Sequence, residues 1–182
     1  MYFKYFLLVL VNLFVSAMNI LLAPIVVLFA DKSGWLPKWL WWFQTPGDSL
    51  DGSRGWKNGK RWFKVENSRF KRWVNRFAWL YRNSMYGFAT DVLGAKAKDT
   101  DVLFTFGDLA TSNRPIHSGL VRYELYRNGK LTYFQWYYVK QWSAKRCLRI
   151  NLGWKLWGFF ENQNGNHQLT FSPNPFMGLS YA

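Results

Sequence analysis

The 182-residue chain has one cysteine, two histidines and ten acidic side chains, and each shortage removes a class of function. Cys147 has no partner for an internal disulfide, which excludes a disulfide-stapled scaffold and fits a reducing compartment. His117 and His167 lie fifty positions apart, and neither stands at ligand-pair spacing with the other or with Cys147, so no metal site is expected. Ser118 follows His117 directly, but adjacency in sequence does not make a catalytic triad. Asp48 and Asp51 are three apart with no third oxygen ligand in step, and Asp99, Asp101 and Asp108 read as loop carboxylates. The chain contains no nucleophile elbow, phosphate-binding loop or dinucleotide glycine pattern. Catalytic residues, metal and cofactor are therefore all read as none, and the protein as a non-enzyme.

What is abundant is apolar length, aromatic rings and positive charge. Tyr5 to Ala30 contains no ionisable side chain other than the tyrosine itself, and a bilayer core about 30 Å thick takes roughly 20 helical residues to cross. Trp35, Trp39, Trp41 and Trp42 follow it, as an aromatic belt at a membrane interface would. The net charge of +14 is uneven. Lys4 alone precedes the apolar run, whereas residues 31–82 carry twelve basic and four acidic side chains. The positive-inside bias then predicts a single pass with the N-terminus outside and the rest of the chain cytoplasmic. A cleaved signal peptide ending at Val15-Ser16-Ala17 is the competitor, but the run continues past Ala17 for longer than such peptides need. Asn12, Asn19 and Pro24 interrupt the run. They read as a proline kink with amides satisfied by backbone or water, as a self-association face, or as a sign that the segment lies flat.

Behind the anchor (residues 1–30), residues 31–59 read as a Trp-rich interfacial helix, Leu36 to Gln44, and a loop. Thr45-Pro46-Gly47-Asp48 is turn chemistry, and Ser49 to Gly59 is loop. Residues 60–182 read as a basic aromatic α+β domain. It opens on an amphipathic helix capped by Asn67 or Ser68, with Phe70, Trp73, Val74, Phe77, Leu80 and Tyr81 on one side and Arg69, Lys71, Arg72, Asn75 and Arg76 on the other. A basic, Trp-bearing helix beside an anchor suits the headgroup plane of an anionic membrane. The expected interface residues are Trp35, Trp39, Trp41, Trp42, Arg69, Arg72, Trp73 and Arg76. Phosphate or headgroup contacts are expected from Lys57, Lys60, Arg61, Lys64 and Lys71. The same block suits nucleic-acid phosphates and bases, though no recognition motif accompanies it.

After one or two helical turns at Ala89 to Leu93 and a connector at Ala95 to Asp101, the period changes to two. Phe104 to Gly107 reads as a short strand. Leu120 to Arg127 and Lys130 to Trp142 flank Asn128-Gly129, a strong hairpin signal. Arg146 to Leu152 follows, with Gly153 to Phe160 extending it, and Gln168 to Phe171 is stopped by Pro173-Asn174-Pro175. The predicted class is α+β: a transmembrane helix, interfacial and basic amphipathic helices, then an antiparallel meander of about four strands. Both strand faces carry large aromatics, so one is expected to pack on helices and the other to be covered or to touch lipid.

Several strings, taken together, resemble a family of uncharacterised small proteins encoded by tailed bacteriophages and prophages: Pro24-Ile25-Val26-Val27-Leu28-Phe29-Ala30-Asp31, Trp42-Phe43-Gln44-Thr45-Pro46, Trp79-Leu80-Tyr81-Arg82-Asn83, Leu148-Arg149-Ile150-Asn151-Leu152-Gly153-Trp154-Lys155 and Phe171-Ser172-Pro173-Asn174-Pro175-Phe176. The resemblance implies a phage origin and supplies no functional residues. The expected function is a membrane-anchored interaction module at the host inner membrane, with anionic lipid and a host or phage protein as partners. The alternatives are a minor virion or genome-entry component, and a nucleic-acid-binding protein.

Overall fold

The computed structural model describes residues 1–61, 68–96, 98–158 and 166–178. The protein is α+β, with an N-terminal apolar helix and an antiparallel sheet. It divides into two compact units, one of Leu10–Leu93 and one of Met1–Val9 with Gly94–Ala182. The first helix, α1 (Tyr2–Val26), begins in the second of these and ends in the first.

In the unit Leu10–Leu93, α1 tightens into a 3-10 turn at Val27–Phe29 and faces α2 (Arg69–Arg82). Ser68 caps α2, its hydroxyl accepting the Lys71 N–H at 3.3 Å; Asn67 lies outside the described residues. Pro24 does not end α1. A proline cannot donate to the carbonyl four residues back, and here that carbonyl, of Ile20, accepts the Tyr81 hydroxyl at 2.9 Å. Trp73 Nε1 donates to the Pro24 carbonyl at 2.9 Å, and Ser84 Oγ to that of Ser16 at 3.2 Å. Asn19 is only 1% exposed. Its amide nitrogen donates to the Leu80 carbonyl and to Ser84 Oγ, so α2 and the chain just beyond it pair its NH2 group, while its buried Oδ1 has no partner among the described residues. Neither its own backbone nor a second copy of the chain supplies those contacts.

The core of this unit joins Ala23, Val26 and Val27 to Leu40, Leu50, Trp56, Ala78, Trp79 and Leu80. It enfolds more of α2 than one apolar stripe: Asn75 and Arg76, expected on the wetted side, are buried too. Trp73, Phe77 and Tyr81 form a half-buried ladder of edge-to-face rings at 4.8 and 5.4 Å, while Phe70 stays exposed. The expected helix at Leu36 to Gln44 is a 3-10 helix, Lys38–Phe43, entered through an extended Pro37. Three residues per turn split the anticipated apolar face. Leu40 and Phe43 turn to the core, and Trp39 and Trp42 turn away. Thr45 to Asp48 is a type II turn, with Gly47 at φ +81° and Asp48 N–H bonded to the Thr45 carbonyl at 3.1 Å. The expected loop Ser49 to Gly59 is helical in its second half, through a wide turn at Trp56–Lys60. Gly52 starts that stretch at φ +82°, where a Cβ would overlap the Trp56 ring.

The other unit is built on five antiparallel strands paired in chain order: β1 (Asp101–Gly107), β2 (Gly119–Arg127), β3 (Lys130–Ser143), β4 (Arg146–Trp154) and β5 (Leu169–Gly178). Two-residue ladders in the connections pair Ala95–Lys96 with Asn166–His167 and Ser112–Asn113 with Ile116–His117. Asn128 and Gly129 both have positive φ, as a tight hairpin between right-twisted strands needs. Among the described residues the sheet has five strands where about four were expected, because the strand anticipated at Phe104–Gly107 starts at Asp101 and pairs along its length with β2. The last strand also passes through both prolines. β5 is an edge strand, Pro173 lies opposite Ile150, and Pro175 falls in a register shift, so neither missing N–H breaks a ladder. β4 stops at Trp154 and does not continue toward Phe160. The chain turns instead onto the buried Gln135, whose Oε1 accepts the N–H groups of Leu156 and Trp157 at 2.8 and 3.2 Å. Residues 159–165 lie outside the described ones.

Directly paired residues share a sheet face. One row crosses all five strands: Phe106, Arg122, Trp136, Leu152 and Phe171. The opposite face buries Val121, Tyr137, Val139 and Cys147.

Candidate functional site: an open apolar face and its aromatic collar

Among the described residues one helix, Tyr2–Phe29, is long and apolar enough to cross a membrane. Most of its surface is open. Phe3, Phe6, Leu10, Phe14, Leu21 and Leu28 are among its exposed side chains, Phe14 at 68%. Its covered stripe follows a helical repeat through Tyr5, Val9, Asn12, Asn19, Ala23 and Val26.

The four collar tryptophans are all exposed, Trp39 most of all at 59%. Trp39 meets Phe29 of the helix end edge-to-face at 5.3 Å, and its carbonyl accepts Trp42 Nε1 at 2.6 Å. Trp42 stacks on Phe88 at 6.2 Å. The exposed rings stand on a stiff base. Buried Gln44 accepts the Leu36 N–H and donates to the Asp48 carbonyl, and the Asp31 carboxylate accepts the Trp35 N–H at 2.9 Å. Trp35 and Trp41 border an open hollow of about 170 Å³ together with Pro46 and Asp91.

The basic residues expected at this interface do not form one face. Arg69 and Lys57 are exposed, and Arg72, Lys71 and Trp73 are half-buried. Arg61 is half-buried and donates to the Asp51 carbonyl at 3.3 Å. Lys64 and the side chain of Lys60 lie outside the described residues. Arg76 departs furthest from expectation, being 6% exposed. Its guanidinium grips both carboxylate oxygens of Asp51 at 3.0 and 3.3 Å and donates to the carbonyls of Asp31 and Lys32. Its position on α2 looks solvent-facing by periodicity, but residues 31–51 fold over that side.

In the other unit, Tyr2 packs on Phe134 at 4.9 Å and on Trp136 at 6.0 Å. Tyr5 meets Phe134 and Trp154 at 5.1 and 5.6 Å, and its hydroxyl donates to the Thr170 carbonyl at 2.8 Å. Beside them the Phe106–Phe171 row leaves Phe106, Trp136 and Phe171 exposed, with the Arg122 guanidinium 5.4 Å from the Phe106 ring centre. The sequence reading missed this docking. An alternating strand shows that Trp136 and Phe106 share a face only once the register is known.

Polar clusters elsewhere are structural in character. The Arg127 guanidinium, 2.6 and 2.8 Å from the Asp101 oxygens, holds that carboxyl below its ordinary range. The Ala110 N–H, and then His117 at 2.8 Å, do the same for Asp108 on the exposed surface. Ser118 Oγ accepts the Gln141 N–H rather than joining His117. Burial pushes the Cys147 thiol up. Among the described residues no three His, Cys, Asp or Glu side chains gather where they could hold a metal ion.

Residues 1–180 match the model of a family of unknown function, DUF7338. The chain belongs to that family. No curated protein and no solved structure matches it. The family match takes in α1, α2 and all five strands, so the apolar helix is part of the family's domain and not an appendage to it.

Proposed function

We propose that this DUF7338 member is a non-enzymatic interaction module that works at a lipid bilayer, held there by α1 and its tryptophan collar. The open face of α1 carries the reading. It exposes on the order of 1,000 Å² of apolar surface, well above the roughly 300–600 Å² of the largest patch on a typical soluble monomer. At about 25 cal/mol per Å², taking even half of it out of water is worth on the order of 10 kcal/mol. Exposed Lys4 at one end, and Lys32 and Lys38 at the other, suit anionic headgroups. The resemblance of its strings to phage-encoded proteins points to the inner membrane of a bacterial host as that bilayer, with a host or phage protein as the partner bound there.

Flotation of the purified full chain with vesicles containing phosphatidylglycerol tests the proposal. The protein is expected to rise with the vesicles and to stay with them in high salt, since apolar burial is not screened. Recovery in the soluble fraction with α1 intact would sink it.

A further inference from the structure

We infer that the hollow between Trp35 and Trp41 is a binding site for the quaternary ammonium of a choline headgroup. The site rests on the lipid-binding reading above and names the headgroup which that reading leaves open. It lies wholly within the unit Leu10–Leu93. Trp35, Trp41, Leu36 and Pro46 give the hollow, of about 170 Å³, its apolar walls, and Asp91 gives it a carboxylate. Among the described residues no Lys or Arg lines it, although the chain carries 24 basic side chains against 10 acidic ones. An anion would meet only like charge there. A cation meets an opposite charge and two indole rings, the side chains that attract cations best through their π-systems.

The hollow is held in shape by its surroundings. Gln44, in its lining, is 7% exposed and is used at both ends: Oε1 accepts the Leu36 N–H at 3.0 Å, and Nε2 donates to the Asp48 carbonyl at 2.9 Å. The Gln44 N–H donates to the Trp41 carbonyl at 2.9 Å, and the Asp31 carboxylate accepts the Trp35 N–H. Asp91 comes from a short π-helix, Phe88–Val92, whose first residue stacks on Trp42. Gly87 permits that approach, since a Cβ there would stand 3.0 Å or less from the carbonyl oxygens of Trp41, Trp42 and Gln44. Packing thus sets the carboxylate beside the rings before any ligand arrives, which lowers the ordering cost of binding.

A primary ammonium would bring three N–H donors, and both polar atoms of the Gln44 side chain are already engaged. A trimethylammonium donates nothing and suits apolar walls closed by one carboxylate. A lipid is favoured over a soluble amine because Trp35 and Trp41 are exposed members of the collar, which meets the apolar helix end where Trp39 touches Phe29.

Flotation of the full chain at high salt tests this, on vesicles of equal phosphatidylglycerol content completed with phosphatidylcholine, phosphatidylethanolamine or an uncharged glycosyl diacylglycerol. The wild type is expected to partition about fivefold or more strongly with phosphatidylcholine than with the glycolipid. Asp91→Asn should lose that preference yet bind phosphatidylglycerol alone at least as well as the wild type, because it has shed a negative charge. Trp41→Phe keeps a ring and should retain most of the preference, whereas Trp41→Leu should lose it. Equal wild-type partition with phosphatidylcholine and glycolipid overturns the headgroup site and leaves lipid binding standing; failure to float on any mixture refutes lipid binding itself. A preference that survives in both Asp91→Asn and Trp41→Leu overturns the assignment to this hollow. Phosphatidylethanolamine matching phosphatidylcholine overturns the choice of a methylated ammonium. A trimethyl-lysine peptide that binds in detergent, with no headgroup preference on vesicles, gives the hollow to a protein partner instead and overturns the lipid.

Discussion

Replacing Arg76 with leucine separates a structural arginine from a lipid-binding one. Leucine approximates the aliphatic stem and removes the guanidinium, so the packing of α2 is largely kept while four hydrogen bonds are lost. The Arg76 side chain is 7% exposed and that of Asp51 25%, so the pair is shielded on one side and partly wetted on the other. Removing one partner of a buried ion pair costs about 3–5 kcal/mol, because the remaining charge keeps its burial and loses its counterion. Partial exposure of Asp51 lets water recover part of that, which places the expected loss near 3 kcal/mol. Asp51→Asn keeps the shape and the carbonyl contacts, so it should cost about 1–2 kcal/mol. The double variant should fall short of the sum, since each single change already breaks the same contact. Denaturant unfolding in detergent, followed by near-ultraviolet circular dichroism, reads all three. An Arg76→Leu midpoint within about 0.5 kcal/mol of the wild type, together with weaker flotation on anionic vesicles, would refute the reasoning and return Arg76 to the headgroup plane.

Three further outcomes are expected. Asn19→Leu removes both amide bonds to the Leu80 carbonyl and Ser84 and should cost about 1–3 kcal/mol, with cross-linking yields in detergent unchanged; unaltered stability with lost cross-linking would instead make it a self-association residue. Because Arg127 depresses the Asp101 carboxyl below its ordinary 3.8, the stability of that pair is complete above the ordinary value and lost as pH falls through the depressed one. Asp101→Asn should therefore flatten acid unfolding of the sheet below about pH 4, and an unchanged acid limb counts against the pair. Trp39→Ala with Trp42→Ala takes away two exposed rings of the collar; partition onto vesicles should drop by roughly tenfold or more with the unfolding midpoint held, and undiminished partition would exclude the collar from the interface.

Period and composition alone were enough for the elements whose partners are close in sequence. Tyr5 to Phe29 is helical because nothing in it but Pro24 breaks a helix, Ser68 caps α2 because its hydroxyl reaches Lys71, and Asn128-Gly129 turns the chain because both residues accept positive φ. The same local chemistry made the apolar run and the exposed tryptophans after it legible. What depended on contacts distant in sequence was not. Arg76 has the spacing of a wetted residue, and only the fold of residues 31–51 over α2 buries it. Pro24 looks like a kink until Tyr81, fifty-seven residues on, supplies the donor its ring lacks. Pro173 and Pro175 look like strand breakers until β5 is known to be an edge. Tyr5 docks on the sheet through the Thr170 carbonyl, a hydrogen bond over 165 positions that no hydrophobic period encodes. The sequence by itself determined that the chain has an apolar helix suited to lipid. The tertiary structure decided which stripe of that helix stays open, because docked neighbours and not composition dictate which side chains are covered.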